Sequence, residues 1–128
     1  MTTPCPFCSM PSDRIVAGND LAFAVRDAYP ISPGHTLIIV RRHVASFFEV
    51  NTDERNVMLL LLDQAKEELE AQCHPSGYNI GINDGADAGQ TVPHVHIHLI
   101  PRYRGDTEDP RGGVRWVLPE RVDYWTGR

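Results

Sequence analysis

In His94-Val95-His96-Ile97-His98-Leu99-Ile100, histidine alternates with apolar residues. A β-strand sends successive side chains to opposite faces, so this spacing predicts three imidazoles on one face and Val95, Ile97 and Leu99 turned to a core. Imidazoles two residues apart stand about 7 Å from each other along a strand. That is close enough for one to attack a phosphorus while another reaches an oxygen of the same phosphoryl group. Imidazole suits the task because a neutral nitrogen is available near neutral pH, and the resulting phosphoramidate hydrolyses readily once its nitrogen is protonated. Other readings attach to the same residues. A single strand histidine is usually just hydrogen-bonded, and a His-x-His pair also offers two ligands to zinc.

Two neighbouring segments have the composition to complete a site. Asn83 to Thr91, with Gly85 and Gly89, reads as a turn whose backbone N–H groups can meet phosphoryl oxygens. Taken alone, Asn83-Asp84-Gly85 is an ordinary turn and Gly89 an ordinary loop glycine. Cys5-Pro6-Phe7-Cys8 has the spacing by which two thiolates bind one tetrahedral zinc, with two further ligands required from elsewhere. A redox pair is disfavoured by the surrounding prolines, since such a motif belongs between a strand and a helix; two merely buried cysteines are the remaining reading.

These residues need a frame. Ile15–Ala17 and Leu21–Val25 read as strands joined through Gly18-Asn19-Asp20, a hairpin signal. Asp27 to Gly34 carries Pro30 and Pro33 and predicts a loop into a strand over His35–Val40. From Thr52 to Cys73, Val57, Met58, Leu61, Leu62, Ala65 and Leu69 recur at helical steps, which predicts one long amphipathic helix. Asp53 and Glu54 suit its positive N-terminal end, and Pro75 and Gly77 are expected to stop it. Strands are predicted over residues 78–82 and Val92–Ile100. The expected fold is α+β, a mainly antiparallel sheet of about five strands with the helix packed across it. After Pro101 the chain turns Gly- and Pro-rich, yet Trp116, Tyr124 and Trp125 predict that this tail packs on the domain or on a second subunit.

Composition narrows the function. The chain has 128 residues, enough for one ordinary core, and a net charge of −5 without a basic run beyond Arg41-Arg42. That argues against a DNA or RNA partner and leaves room for a single nucleotide held by a few local donors. No apolar run approaches the roughly 18 residues of a membrane span, and the N-terminus has no basic or apolar leader pattern. The three cysteines, an odd number, do not suggest a disulfide framework. The expected location is cytoplasmic.

The histidine segment resembles the His-φ-His-φ-His-φ-φ signature of the histidine triad family at every position. Leu21-Ala22-Phe23, Pro33-Gly34-His35, Arg42-His43-Val44 and Gly89-Gln90-Thr91-Val92 resemble that family's other landmarks in its order and spacing. The likeness covers residues 5 to 104 of a single domain spanning 1–128, leaving 105–128 as a C-terminal tail. It implies that His96 is the nucleophile that becomes transiently nucleotidylated, that His98 hydrogen-bonds the scissile phosphate or leaving group, and that His94 sits behind and orients His96. It further implies an α-phosphate pocket of Asn83, Gly89, Gln90 and Thr91, and Asp27 as acceptor for the ribose hydroxyls of a purine nucleotide. Phe7, Phe23 and Ile31 are candidate apolar contacts to the base, and His35 is expected to support the site through a hydrogen bond. By the same resemblance, the cysteine pair is completed as a structural zinc site by His43 and His94, and the molecule is a homodimer. The Pro-Arg after the triad and the Gly-rich tail resemble the dinucleoside polyphosphate hydrolases, acting on compounds such as diadenosine tetraphosphate, more than the phosphoramidase branch. A nucleotidyl transferase sharing the first step, and a non-catalytic nucleotide-binding module, are the alternatives.

Overall fold

The computed structural model describes residues 4–127. Strands β1 (Ile15–Gly18) and β2 (Ala22–Arg26) form the expected hairpin, closed by Asn19, whose side-chain oxygen accepts from the Leu21 and Ala22 amides at 2.9 Å each. Then come β3 (Thr36–Val40), α1 (Thr52–Cys73), β4 (Gly77–Gly81) and β5 (His96–Arg102). All pairings are antiparallel and the sheet order is β1-β2-β3-β5-β4, so β5 lies between β3 and the edge strand β4.

The helix covers one face of this sheet. Met58, Leu61, Ala65 and Leu69 recur at the three- and four-residue steps of one stripe and meet Ala24, Ile38, Val95, Ile97 and Leu99 in the main core. Each fully buried Met or Leu contributes about 2 kcal/mol relative to exposure. The opposite face carries a smaller cluster of Phe23, Val25, Leu37 and Ile39, against which the N-terminal Phe7 and Met10 pack. His96 and His98 belong to this second face, because they stand opposite Ile39 and Leu37 in the register of β5 on β3. The helix thus stabilises the sheet from behind and leaves the imidazole face to lighter cover.

Both ends of α1 are capped. Glu54 acts as more than a favourable charge at the helix start. It forms a capping box with Asn51, and its carboxylate, 2% exposed, takes two hydrogen bonds from the Arg42 guanidinium at 3.0 and 2.9 Å. The Arg42 bonds hold the Glu54 carboxyl below its ordinary range, and they pin the segment next to His43. At the other end the helix stops at Cys73, just ahead of Pro75 and Gly77, and is capped by His74 in the left-handed conformation at φ 52°. Gly34, at φ 88°, lets the 27–34 loop touch the helix: a Cβ there would lie 2.5 Å from Leu69 Cδ2.

The returning strand is shifted from the predicted Val92–Ile100. Pro93 offers no donor, the His94 amide bonds back to Val92 O at 2.8 Å, and the regular ladder starts only at His96 and runs through Pro101 to Arg102. The tail folds into two 3₁₀ turns, Gly113–Val117 and Pro119–Arg121, and packs on the domain as its aromatic residues suggest, with Gly113 against Asn79 of β4.

Candidate active site

A cleft of 1190 Å³ opens on the second face of the sheet and is lined by Phe7, Asp27, Ile31, His35, Asn83, Gly89, Gln90, Thr91, His96 and His98, among others. The triad is therefore split. His96 and His98 open on the cleft, while the His94 ring is fully buried and lies among Cys5, Cys8 and His43. Phe23, a candidate base contact, belongs to the core at 3% exposure, with Arg41 stacked over its ring, and is absent from the cleft wall. Phe7 does reach the cleft and packs edge-on against the His96 ring, with centroids 4.9 Å apart.

Hydrogen bonds to the backbone assign the tautomer of each ring. His96 Nδ1 lies 2.8 Å from the carbonyl of His94, which can only accept, so Nδ1 carries a proton and, in the neutral ring, Nε2 keeps its lone pair. His94 orients its neighbour through its carbonyl, while its own ring uses Nε2–H on Val40 O at 2.5 Å and leaves Nδ1 unprotonated. His35 Nδ1 accepts from the Ile31 amide at 3.2 Å, which forces the proton onto Nε2. That Nε2–H donates to His98 Nδ1 at 3.0 Å, with an Asp27 carboxylate oxygen 3.4 Å away. His98 is left with Nε2–H as its donor. The Nδ1–H tautomer of His96 thus presents a lone pair beside the Nε2–H donor of His98, with ring centroids 5.1 Å apart.

Burial favours the neutral form of His98, His35 and His94. Desolvation, reinforced by the neighbouring His96 and His35 and opposed by Asp27, pushes His98 down to about 4. Desolvation likewise lowers His35, against the pull of Asp27, and His94. His98 is accordingly a hydrogen-bond donor rather than a proton reservoir at neutral pH.

The 83–91 turn is more self-contained than its composition suggests. The amides of Ala88, Gly89 and Gln90 bond within it, and Gly85 N–H donates to Gln90 Oε1 at 2.8 Å. The Gln90 carboxamide also donates to Ala45 O and Val92 O, so this side chain braces the turn. The Asn83 carboxamide and the Thr91 hydroxyl and amide remain as donors on the cleft wall without a partner among the described residues. Asp27 also has a structural bond, accepting from the Tyr29 amide at 2.8 Å. Asp84 escaped the sequence reading: its carboxylate accepts from Ser46 Oγ and the Phe47 amide and ties the turn to the segment after β3. An Asp within Asn-Asp-Gly looks like turn chemistry alone, so nothing local marked this long-range contact.

Behind the cleft, Cys5, Cys8, His43 and His94 bring one donor atom each within 4.8 Å of all the others. Cys8 Sγ is 3.1 Å from His43 Nδ1 and 3.6 Å from His94 Nδ1, the two ring nitrogens are 3.3 Å apart, and Cys5 Sγ is 3.4 Å from His94 Nδ1. Donors placed about 2.0–2.3 Å from a tetrahedral zinc stand about 3.3–3.8 Å from one another. The donor set and the free His94 lone pair therefore fit a zinc ion. A second group, Asp27, His35 and His98, also clusters, but its ring nitrogens are already joined by the hydrogen bonds above.

The neutral rings imply a stability profile. His98 binds a proton near pH 6.5 when unfolded and near pH 4 when folded, so its contribution is fully present above pH 6.5 and is lost as pH falls toward 4. Urea midpoints of the wild type should drop between pH 6.5 and 4.5, and those of His98→Asn should drop less. Parallel profiles would show that His98 is not held neutral by the fold.

The HIT domain model matches residues 10–105, leaving most of the tail outside it. A HIT-like protein of Mycoplasma genitalium is 37% identical over 80% of this chain and 75% of its own length. The asymmetrical bis(5'-nucleosyl)-tetraphosphatase of Schizosaccharomyces pombe is 41% identical over 67% of this chain, which spans only 47% of that protein. Among solved structures, a zinc-bound histidine triad family protein from Mycobacterium smegmatis superposes with a TM-score of 0.73 at 29% identity, covering 82% of this chain and 79% of that one. The five-stranded antiparallel sheet, the single long helix and the His94-x-His96-x-His98 segment agree with this match: the chain belongs to the histidine triad, or HIT, family.

Proposed function

We propose that the chain hydrolyses the α-phosphate linkage of a purine nucleoside 5′-phosphate derivative, in first place a dinucleoside polyphosphate, through a nucleotidyl-His96 intermediate. The observation that carries this reading is the bond from His96 Nδ1–H to the His94 carbonyl, which leaves Nε2 as a lone pair on the cleft. The tetraphosphatase named above supports the substrate class.

The steps follow from the tautomers. His96 Nε2 attacks the α-phosphorus, and the bond to the leaving oxygen breaks with its electron pair going to that oxygen. Asn83 and Thr91 offer donors to the equatorial oxygens. His98 Nε2–H hydrogen-bonds the leaving group without transferring its proton, which suits a polyphosphate that needs none to depart. In the intermediate His96 carries phosphorus on Nε2 and still holds its Nδ1 proton. The resulting imidazolium is a good leaving group, so water forms the new P–O bond as the P–Nε2 bond breaks with its electron pair returning to Nε2, and the water's proton passes to solvent. Asp27 faces the ribose hydroxyls, and Phe7, Met10, Val25 and Ile31 give the base an apolar seat.

His96→Ala should lower turnover of diadenosine tetraphosphate by about three orders of magnitude or more, while nucleoside monophosphate affinity stays within a few-fold, since the base and ribose contacts lie elsewhere. Wild-type turnover in His96→Ala would end the mechanism.

Cys5, Cys8, His43 and His94 would hold a zinc ion, which would supply a structural clamp between the N-terminal segment and the stretch before β5 rather than reaction chemistry. Through Phe7 that clamp bears on the His96 ring. Metal analysis should find about one zinc per chain, and Cys5→Ser with Cys8→Ser should abolish it and lower the melting temperature. Zinc-free protein with an unchanged melting temperature after repletion would remove this site.

A homodimer is the assembly this surface supports. Among the described residues β4 pairs only with β5, so one row of its backbone groups is open, and Leu59, Leu60 and Phe48 are exposed apolar side chains elsewhere on the surface. Sedimentation at micromolar concentration should show twice the chain mass, and a pure monomer contradicts it. Three unpaired cysteines suit a reducing cytoplasmic compartment.

A further inference from the structure

The cleft continues beyond the two imidazoles. By register His98 lies between Leu37 of β3 and Gly81 of β4, so the cleft has an arm on either side. The β3 side holds Phe7, Val25 and Asp27. The β4 side is walled by Asn79 and Ile100 and by Val114, Trp116 and Val117 of the tail. Because His98 stands between the arms, a nucleoside in the first leaves the second open to the rest of a leaving group that His98 hydrogen-bonds.

Charge in the second arm is already satisfied. Arg102 donates through Nε and Nη2 to Asp106, both at 2.8 Å, and through Nη1 to Asn79 Oδ1 at 2.6 Å. Its guanidinium has little left to offer a phosphate. What stands open is apolar: Trp116 is 49%, Val114 64% and Val117 77% exposed. The wall is also stiff. Gly112, at φ 97°, passes so close to Val122 that a Cβ would lie 2.4 Å from its Cγ2. Trp116 Nε1–H donates to Arg111 O at 3.0 Å, Arg115 donates to Val122 O and Arg121 O, and Arg111 and Arg115 stack over Trp125 and Tyr124. An indole anchored in this way offers its ring at little ordering cost.

We propose that this tail forms a leaving-group subsite in which Trp116, flanked by Val114 and Val117, receives an uncharged aromatic ring, the second base of a dinucleoside polyphosphate. The inference rests on the reading of His96 as the nucleophile and adds a selection that the triad cannot make. Leaving groups that end in a base are preferred over those that end in a phosphate or a small amine.

The test compares kcat/KM for diadenosine tetraphosphate and for adenosine 5′-phosphoramidate in wild type, Trp116→Ala and Trp116→Phe. It adds a fluorescence titration of Trp116 in a Trp125→Phe chain with diadenosine tetraphosphate and with adenosine monophosphate. Trp116→Ala should lower the ratio of the two kcat/KM values by about tenfold, the scale of one base stacked on an aromatic ring. Trp116→Phe should restore much of it, and only the dinucleotide should quench Trp116. An unchanged ratio, or equal quenching by both ligands, overturns the subsite. If wild type turns over neither substrate, the hydrolase reading fails and the quenching comparison alone decides the subsite. A dimer that dissociates in Trp116→Ala while the ratio holds assigns the wall to a second copy of the chain and also overturns it.

Discussion

The hydrogen bond from the His96 ring to the carbonyl of His94 sets the terms for the rest of the site. A free imidazole exchanges its proton between two nitrogens, and only one tautomer leaves a lone pair facing the cleft. A carbonyl cannot donate, so its place beside Nδ1 removes the choice. The same device acts twice more: Val40 O fixes the His94 ring, and the Ile31 amide fixes His35 and through it His98. The loop carrying Ile31, the end of β3 and the stretch before β5 must therefore be held in register. That is the work of the Glu54–Arg42 contact, the Gln90 brace and the close approach of Gly34 to α1.

Much of this was legible in the chain itself. The helix runs from Thr52 to Cys73 as its apolar spacing indicates, because a three- and four-residue period over so many turns has no competing fit. The β1–β2 hairpin follows from Gly18-Asn19-Asp20, and the period of two correctly turns Val95, Ile97 and Leu99 to the core. The period misplaced His94. Alternation treats the seven residues as one strand, whereas Pro93 removes a ladder donor and the chain enters the sheet only at His96. The longer-range roles of Glu54, Gln90 and Asp84 left no sign in the sequence, for a related reason. Their partners, Arg42, Ala45 and Ser46, lie far off in sequence, and side-chain to backbone contacts across such distances leave no periodic trace.

The two sides of the sheet divide the labour. The helix side supplies most of the burial that stabilises the fold, and the imidazole side has the smaller cluster and the open cleft. Phe7 arrives from the N-terminal segment carrying Cys5 and Cys8, and Trp116 arrives from the tail that follows the family domain. Both come from the ends of the chain onto the strand frame, so the walls of the cleft are built separately from the strand that carries His96 and His98.

The tautomers are directly observable. Two-bond proton–nitrogen correlation spectra of uniformly ¹⁵N-labelled protein near neutral pH distinguish Nδ1–H, Nε2–H and imidazolium forms of each ring. The account predicts the Nδ1–H tautomer for His96 and the Nε2–H tautomer for His35, His94 and His98. His96 found as the Nε2–H tautomer or as an imidazolium in the ligand-free protein would contradict it, because the nitrogen facing the cleft would then have no electron pair for phosphorus.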